Sequence, residues 1–189
     1  MKNVIITGEN LTIHDLIKVS REYAHVELSG IAKTRILESR KIVDDLVENE
    51  KVVYGITTGF GKFSNVSITK DESKILQRNL IITHAVGAGE PFNTETTRAI
   101  ILLRINNLSK GYSGVKLETV MTMIEMLNKR VHPLIPQKGS LGASGDLAPL
   151  SHMVLPMIGL GEAEYNGNFM NGSKAMEKSG IQIIELTSK

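Results

Sequence analysis

The order of apolar and polar residues predicts a mainly α-helical chain that begins with a short strand. Val4, Ile5 and Ile6 form a continuous β-branched run, which is typical of a strand. Thr12 precedes an apolar run and Asp15 stands three residues later, so this pair predicts a capping box at the start of a short helix. Both signals are local and predict their elements without reference to tertiary partners.

A longer amphipathic helix is predicted for residues 31–48, where apolar side chains recur every three or four positions. Its apolar face is expected to consist of Ile36, Val43 and Val47, with Ile42 and Leu46 beside them. Its polar face is expected to consist of Lys33, Arg40, Lys41 and Asp44. One side of this helix should therefore pack and the other should face water.

The middle of the chain is predicted to be a long loop followed by four helices. Residues 54–70 contain five Ser/Thr and three Gly, and a loop of this length is usually functional or disordered. The helices are expected at 71–85, 94–110 and 115–129, and from Asp146 onward. In the second of these, the residues expected to be largely buried are Ile100, Ile101, Leu103, Ile105 and Leu108.

Turn signals divide the last third of the chain. Pro133 and Pro136 end the helical pattern before them. Asn166-Gly167 predicts the turn of a hairpin over residues 162–170. A short helix is expected from Ser173, and residues 181–183 are expected to form a strand.

The composition is that of a globular protein of one domain. The chain has 189 residues, of which 41% are hydrophobic and 22% are charged, and its net charge is +2. The charges are mixed along the chain, so a nucleic-acid partner is not expected. The longest apolar run, residues 153–160, is too short to cross a membrane. Cysteine is absent, which is compatible with a cytoplasmic protein.

The spacing of polar residues argues against three common kinds of site. A metal site is not expected, because no metal-ligand pattern includes the histidines His14, His25, His132 and His152. Gly61-Lys62 is followed by Phe63 rather than by Ser or Thr, so it is not a P-loop. Residues 142–146 fail the pattern of a nucleophile elbow, because the last position is Asp146 rather than Gly.

The tripeptide Ala143-Ser144-Gly145 can in principle build an electrophile from its own backbone. The nitrogen of Gly145, which no Cβ shields, can attack the carbonyl carbon of Ala143 and close a five-membered ring. Loss of one water gives an imidazolone, and loss of a second water from Ser144 leaves an exocyclic methylidene. By itself, however, the tripeptide is more typical of a glycine-rich turn that leads into a helix capped by Asp146.

A family resemblance extends well beyond this tripeptide. Residues 139–152, GSLGASGDLAPLSH, resemble the signature of the ammonia-lyases and aminomutases that carry a methylidene-imidazolone (MIO) group. Four more motifs resemble this family and stand in its order: YGITTGFG at 54–61, QRNL at 77–80 followed by Thr83-His84, LRIN at 103–106 and GYSGV at 111–115. The resemblance covers the chain from residue 3 to its end.

The resemblance implies roles for particular residues. Ala143, Ser144 and Gly145 would form the MIO group from the chain itself, so that no external cofactor is needed. Asp146 would polarise the cyclising backbone. Tyr54 would act as an acid or base at the substrate, and Gly61 would support a mobile loop beside it.

The resemblance also implies a substrate and a fold. Thr83-His84 is most similar to the Ser-His pair of the histidine-specific members, in which His can hydrogen-bond an imidazole. The implied reaction eliminates ammonia from L-histidine and leaves trans-urocanate. Residues 1–189 are expected to form a helical, MIO-bearing N-terminal domain with short strands and a small hairpin, ending before the long central helices of a homotetramer. The 189-residue chain alone is expected to be inactive, with its tripeptide uncyclised.

Other interpretations fit the same residues. Tyr54 is also compatible with a packed aromatic whose hydroxyl is hydrogen-bonded, and His84 with a core histidine. A phenylalanine or tyrosine lyase, or an aminomutase, would use the same chemistry on another substrate. A folding unit that keeps the family's fold without catalysis is the alternative from a different class.

Overall fold

The computed structural model describes residues 3–58 and 70–187, and in these residues helices predominate, as the sequence predicts. Gly61 lies outside the described residues. In chain order the elements are β1 (Asn3–Ile6), α1 (Ile13–Ser20), β2 (His25–Leu28), α2 (Gly30–Glu48), α3 (Lys70–His84), β3 (Ala88–Pro91), α4 (Thr94–Leu108), α5 (Leu117–Asn128), β4 (Val131–Pro133), β5 (Pro136–Lys138), α6 (Leu147–Val154), a 3₁₀-helix (Leu155–Ile158), β6 (Glu162–Tyr165), β7 (Asn168–Asn171) and α7 (Gly172–Lys178).

A short parallel pair of strands starts the fold. β1 pairs with β2 from Asn3 opposite His25 to Ile6 opposite Leu28, and α1 connects the two strands. Alternate residues of both strands are buried, as in a sheet with one solvated face. The predicted capping box is present at the start of α1. β1 is thus confirmed, whereas β2 is not among the elements that the sequence predicts.

The hydrophobic core contains the facing sides of α4 and α5. Its buried aliphatic residues include Ile101, Leu102, Ile105 and Leu108 of α4 and Val120, Met123, Ile124 and Leu127 of α5. The prediction that Leu103 is buried is wrong, since 52% of this residue is exposed. Ile101, Ile105 and Leu108 repeat at helical spacing, so Leu103 points away from α5.

α2 buries only a narrow stripe, and two predictions about its faces are wrong. Ile42, expected beside the apolar face, is largely exposed. Arg40, expected on the polar face, is only 9% exposed. Its guanidinium donates to the carboxylate of Asp44 at 2.6 Å and to the carbonyl oxygen of Gly114 at 3.3 Å. A long cationic side chain is tolerated in such a position because its donors find acceptors.

Two further sheets organise the second half of the chain. β3 pairs antiparallel with β5, and β4, β6 and β7 form an antiparallel three-stranded sheet. The turn between β6 and β7 places Asn166 at φ 52° and Gly167 at φ 76°, which confirms the predicted hairpin. Pro133 and Pro136 follow α5, as predicted, and each belongs to a short strand.

The strand predicted for residues 181–183 does not form. This segment follows α7 without regular secondary structure, and the N–H of Ile184 donates to the carbonyl oxygen of Met157 at 2.8 Å. A strand needs a ladder of hydrogen bonds to a neighbouring strand. Met157 belongs to the 3₁₀-helix, which offers no such edge.

A buried arginine joins several of these elements. Arg98 of α4 is only 1% exposed, and its guanidinium donates to the carbonyl oxygens of Val19 (2.8 Å) and Leu127 (2.9 Å). It also donates to Nε2 of His132 at 3.1 Å, and it lies 4.3 Å from the ring centroid of Tyr23. Burial lowers the pKa of Arg98 to about 10, so the side chain stays charged at neutral pH.

The hydrogen bond from Arg98 determines the protonation of His132. Because Nε2 accepts from a guanidinium, the ring proton must be on Nδ1, which donates to Glu164 at 2.6 Å. Burial lowers the pKa of His132 and outweighs the opposing effect of Glu164. Burial raises the pKa of Glu164, but hydrogen bonds from His132 and from the N–H of Gly167 bring it below its ordinary value. The network is therefore a neutral imidazole between a cation and an anion.

Replacement of Arg98 tests the importance of this network. Arg98→Leu should lower the free energy of unfolding by about 3–5 kcal/mol, because buried acceptors lose their donor. Arg21→Leu, which removes an exposed arginine paired with Glu95, should cost no more than about 1 kcal/mol. Urea unfolding followed by circular dichroism measures both values, and equal losses would contradict the assignment.

The state of His132 also predicts how stability depends on pH. The folded-state pKa of His132 lies below the ordinary value of 6.5, so its contribution is complete above about pH 6.5 and is lost as the pH falls through the folded-state pKa. The urea midpoint should therefore decrease from about pH 7.5 to about pH 5. His132→Gln should reduce this decrease, whereas a substitution of the exposed His14 by Gln should leave it unchanged. A pH dependence that is the same in all three proteins would be contrary to this account.

Candidate active site

A cleft of about 390 Å³ opens where three motif-bearing segments meet. Gly55 lines it from the turn after α2, Gln77 and Ile81 line it from α3, and Leu147 and Leu150 line it from α6. The other apolar lining residues are Leu108, Val115, Met123, Met153, Val154, Met157, Ile158, Ile184 and Leu186. Segments that are far apart in sequence thus share one cavity with a mainly apolar wall.

Arg104 brings a positive charge to this wall. Its side chain is half-buried, and within residues 3–58 and 70–187 its guanidinium makes no hydrogen bond. Burial lowers the pKa of Arg104, and the negative charge of Asp146 opposes that effect. A cleft with these properties suits a small ligand that has an apolar body and an anionic group.

The tripeptide lies on an exposed loop between β5 and α6. Ala143 and Ser144 are exposed, and Gly142 and Gly145 have φ values of 100° and 71°, in the left-handed region. The hydroxyl of Ser140 donates to the carbonyl oxygen of Gly145. A Cβ at Gly145 would be strained and would lie 3.3 Å from that hydroxyl oxygen. Glycine before and after Ala143-Ser144 therefore permits the tight backbone that ring closure requires.

Asp146 occupies the N-cap position of α6, as predicted, but its side chain makes no capping hydrogen bond. Its backbone φ of −108° and ψ of −9° differ from the extended geometry in which such a cap forms. The helix begins instead with the N–H of Leu150 donating to the carbonyl oxygen of Asp146. The carboxylate thus makes no cap, and its negative charge acts on Arg104.

Tyr54 begins the turn that carries Gly55 into the cleft. The tyrosine is 61% exposed, and Gly55 has a φ of 73°. Thr57 fixes this turn, because its hydroxyl accepts from the N–H of Val53 at 2.9 Å and donates to the carbonyl oxygen of Lys51 at 2.5 Å. The backbone beside Tyr54 is therefore held at the edge of the cavity.

His84 is the last residue of α3 and has one ring nitrogen engaged. Its Nδ1 lies 2.7 Å from the carbonyl oxygen of Leu80, and Thr83 donates its hydroxyl to the same oxygen at 3.1 Å. Since a carbonyl can only accept, Nδ1 must carry a proton. In the tautomer with the proton on Nδ1, Nε2 is the ring nitrogen that can accept a hydrogen bond.

The structure brings the predicted segments to one cleft, but it does not bring the predicted side chains into it. Three elements line the cleft: the turn that begins at Tyr54, the helix that ends at His84 and the helix that follows Ser144. The side chains of Tyr54, His84 and Ser144 themselves are not among the lining residues. Arg104 and His152 belong to motifs quoted for the family resemblance, but the sequence interpretation gives neither of them a role at the site. Arg104 could have been noticed because it is a basic residue within the apolar pattern of α4. The hydrogen bond of His152 to the N–H of Gly87 could not have been noticed, because it joins residues that are far apart in the sequence.

Neither a metal cluster nor a membrane span is found in residues 3–58 and 70–187. No three His, Cys, Asp or Glu side chains of these ranges are grouped as metal ligands. No helix of the same ranges is both long and apolar enough to cross a bilayer.

Comparison with known proteins defines the class of this fold and site. The model of the family described as aromatic amino acid lyase matches residues 11–189. The chain therefore belongs to the aromatic amino acid lyase family.

Particular relatives are similar over the full length of the chain. It is 63% identical to a histidine ammonia-lyase of Clostridium tetani and 62% identical to one of Alkaliphilus oremlandii, in each case over 100% of this chain and 37% of the relative. Among solved structures, histidine ammonia-lyase from Trypanosoma cruzi matches with a TM-score of 0.91 at 36% identity, over 99% of this chain and 36% of that one. Phenylalanine aminomutase from Pantoea agglomerans matches with a TM-score of 0.90 at 34% identity, over 100% of this chain and 36% of that one. The chain thus spans little more than a third of the length of these relatives.

The loop glycines allow a direct test of the local packing. Gly139→Ala should lower the free energy of unfolding by about 2–4 kcal/mol, because the residue has a φ of 134° and its Cβ would lie 2.8 Å from Cα of Gly87. Gly142→Ala has the strain of a φ of 100° without a neighbour within 4 Å, so it should cost only about 1 kcal/mol. Thermal unfolding compares the two variants, and a Gly139→Ala loss no greater than that of Gly142→Ala would contradict the close contact.

Proposed function

We propose that this chain is part of a histidine ammonia-lyase, which eliminates ammonia from L-histidine and leaves trans-urocanate. The observation that carries the proposal is that the helix ending in one motif and the helix following the other line the same cleft. Thr83-His84 ends α3, and Ala143-Ser144-Gly145 is separated from α6 only by its N-cap residue, Asp146. The identity to histidine ammonia-lyases over the whole chain supports the choice of substrate.

The loop fits a ring made from its own backbone, and we propose that Ala143, Ser144 and Gly145 form the MIO group. Gly145 is free of a Cβ, its φ is left-handed, and Ser144 is exposed so that its hydroxyl can leave. When formed, the group supplies a carbon electrophile for the amino group of the substrate. No external cofactor is required, and Asp146 acts by polarising the backbone that cyclises.

His84 selects the substrate in this proposal. Its Nδ1–H is engaged by the carbonyl oxygen of Leu80, so Nε2 accepts a hydrogen bond from the N–H of the substrate imidazole. Thr83 donates to the same carbonyl oxygen and so helps to fix the end of the helix. A substrate with a hydrocarbon ring would leave Nε2 without a partner, which disfavours its binding.

Tyr54 handles the β-proton of the substrate. Its phenol is exposed at the start of the turn that lines the cleft, and a phenol can both accept and donate a proton.

The proposed enzyme is cytoplasmic and homotetrameric, and it needs more of the family's length than this chain contains. The chain spans 37% of its relatives, and the resemblance implies later residues that complete the site: an asparagine, a second tyrosine and the arginine that holds the substrate carboxylate. We therefore expect the 189-residue chain by itself to form no urocanate and to retain an uncyclised tripeptide.

Substitution of His84 tests the substrate assignment. In a protein that carries this chain within the family's full length, His84→Leu should lower kcat/KM for L-histidine by about a hundredfold or more, because the imidazole loses its acceptor. Thr83→Ser, which keeps the hydroxyl, should change this value less than about threefold. The absorbance of urocanate follows both reactions, with the 189-residue chain as the inactive reference.

Three results would contradict the proposal. Unchanged turnover of L-histidine by His84→Leu would remove His84 from the site. Preference of the unsubstituted protein for phenylalanine or tyrosine would favour an aromatic lyase or aminomutase. Absence of turnover with all of these amino acids would favour a non-catalytic folding unit.

A further inference from the structure

A backbone N–H just beyond α3 finds its acceptor on a different helix. Gly87 follows Thr83-His84 by three residues, and its N–H donates to Nε2 of His152 on α6 at 2.9 Å. The preceding N–H groups of Ala85 and Val86 donate to carbonyl oxygens of α3 itself. Gly87 is therefore where the chain leaves its local hydrogen bonds and becomes attached to α6.

The acceptor is well suited to this task. His152 is half-buried, and burial lowers its pKa, so the ring is neutral near pH 7 and Nε2 carries a lone pair. His152 lies seven residues after Gly145, within the helix that follows the tripeptide. One hydrogen bond thus connects the end of the substrate-selecting helix with the helix that begins after the loop.

Close packing makes this connection stiff. A Cβ at Gly87 would lie 3.0 Å from Nε2 of His152 and 3.1 Å from Cβ of Pro136. A Cβ at Gly139 would lie 2.8 Å from Cα of Gly87. We call these four residues, Gly87, Pro136, Gly139 and His152, the Gly87 junction.

The strands beside the junction extend the connection on both sides. β3 begins one residue after Gly87 and β5 ends one residue before Gly139, and Ala88 is paired with Lys138. The segment that leaves His84 and the segment that enters the tripeptide loop are therefore neighbours. A shift of either segment has to move the other, because packed interiors transmit displacement.

We infer that His152 is a positioning residue that fixes Thr83-His84 relative to the Ala143-Ser144-Gly145 loop through the N–H of Gly87. The consequence for catalysis rests on the proposed function. His84 holds the substrate ring and the loop supplies the electrophile, so the junction sets how the two ends of the substrate meet their partners. Misplacement of reacting groups affects the chemical step more than binding.

The hydrogen bond itself is tested by NMR on the 189-residue chain. His152→Leu removes the acceptor at similar volume, whereas His152→Gln keeps an acceptor near the position of Nε2. Hydrogen exchange at the Gly87 amide should be about five- to tenfold faster in His152→Leu than in the unsubstituted chain. In His152→Gln the exchange rate should be close to that of the unsubstituted chain. Nε2 of His152 should have the ¹⁵N shift of an unprotonated nitrogen, whereas His14→Gln, a surface control, should leave Gly87 unchanged. Equal exchange at Gly87 in all variants would overturn the inference.

The coupling between the end of α3 and the tripeptide loop is tested by the positions at which amide chemical shifts change. In His152→Leu, amide shifts should change both at Thr83 and His84 and in the loop 139–146, and His152→Gln should reduce both sets of changes. Changes confined to α6 would mean that His152 only packs its own helix, and this result would overturn the inference.

Kinetics complete the test in the full-length enzyme. His152→Leu should lower kcat about tenfold with less than a threefold change in KM, and His152→Gln should recover most of kcat. A rise in KM with an unchanged kcat would contradict a positioning role. If the enzyme does not act on L-histidine while both NMR results hold, then the proposed function fails and the structural coupling stands.

Discussion

The fold depends on the burial of one guanidinium, that of Arg98. This side chain holds carbonyl oxygens of α1 and α5 and the imidazole of β4, which in turn binds Glu164 of β6. An arginine is suited to this position because its planar donors remain charged and can serve several acceptors at once. β4 is thereby attached to the core formed by α4 and α5.

The segments around the candidate site follow β4 in the chain or pair with a strand that follows it. β5 follows β4 after two residues and pairs with β3, so the same stretch of chain brings the end of α3 next to the start of the tripeptide loop. The loop is exposed, whereas Ile135 before it and Ala148 after it are buried. The apolar cleft with Arg104 at its wall lies where the turn after α2, the end of α3 and the start of α6 meet.

Local signals in the sequence predict part of this structure well. The capping box at Thr12 and the turn at Asn166-Gly167 depend on residues a few positions apart, and both are confirmed. Periodicity also predicts the main helices, whose ends differ by one or two residues. The motif around Ala143-Ser144-Gly145 identifies the family because its residues are contiguous, and the family match agrees with it.

Features that depend on distant partners could not be predicted in this way. Arg40 and Arg98 look like surface residues in a helical pattern, and they are buried only because carbonyl oxygens from other elements reach them. The strand predicted at residues 181–183 fails for the opposite reason, since this alternation of apolar and polar residues has no strand edge beside it. The role of His152 depends on one N–H that is 65 residues away.

We propose that the loop before α6 is a backbone that cyclises. The most direct measurement is the mass of the proteolytic peptide that contains Ala143-Ser144-Gly145, taken from the protein at the family's full length. The account predicts a peptide lighter than its sequence by two water molecules, with the deficit confined to these three residues. A peptide with the full mass of its sequence would contradict it.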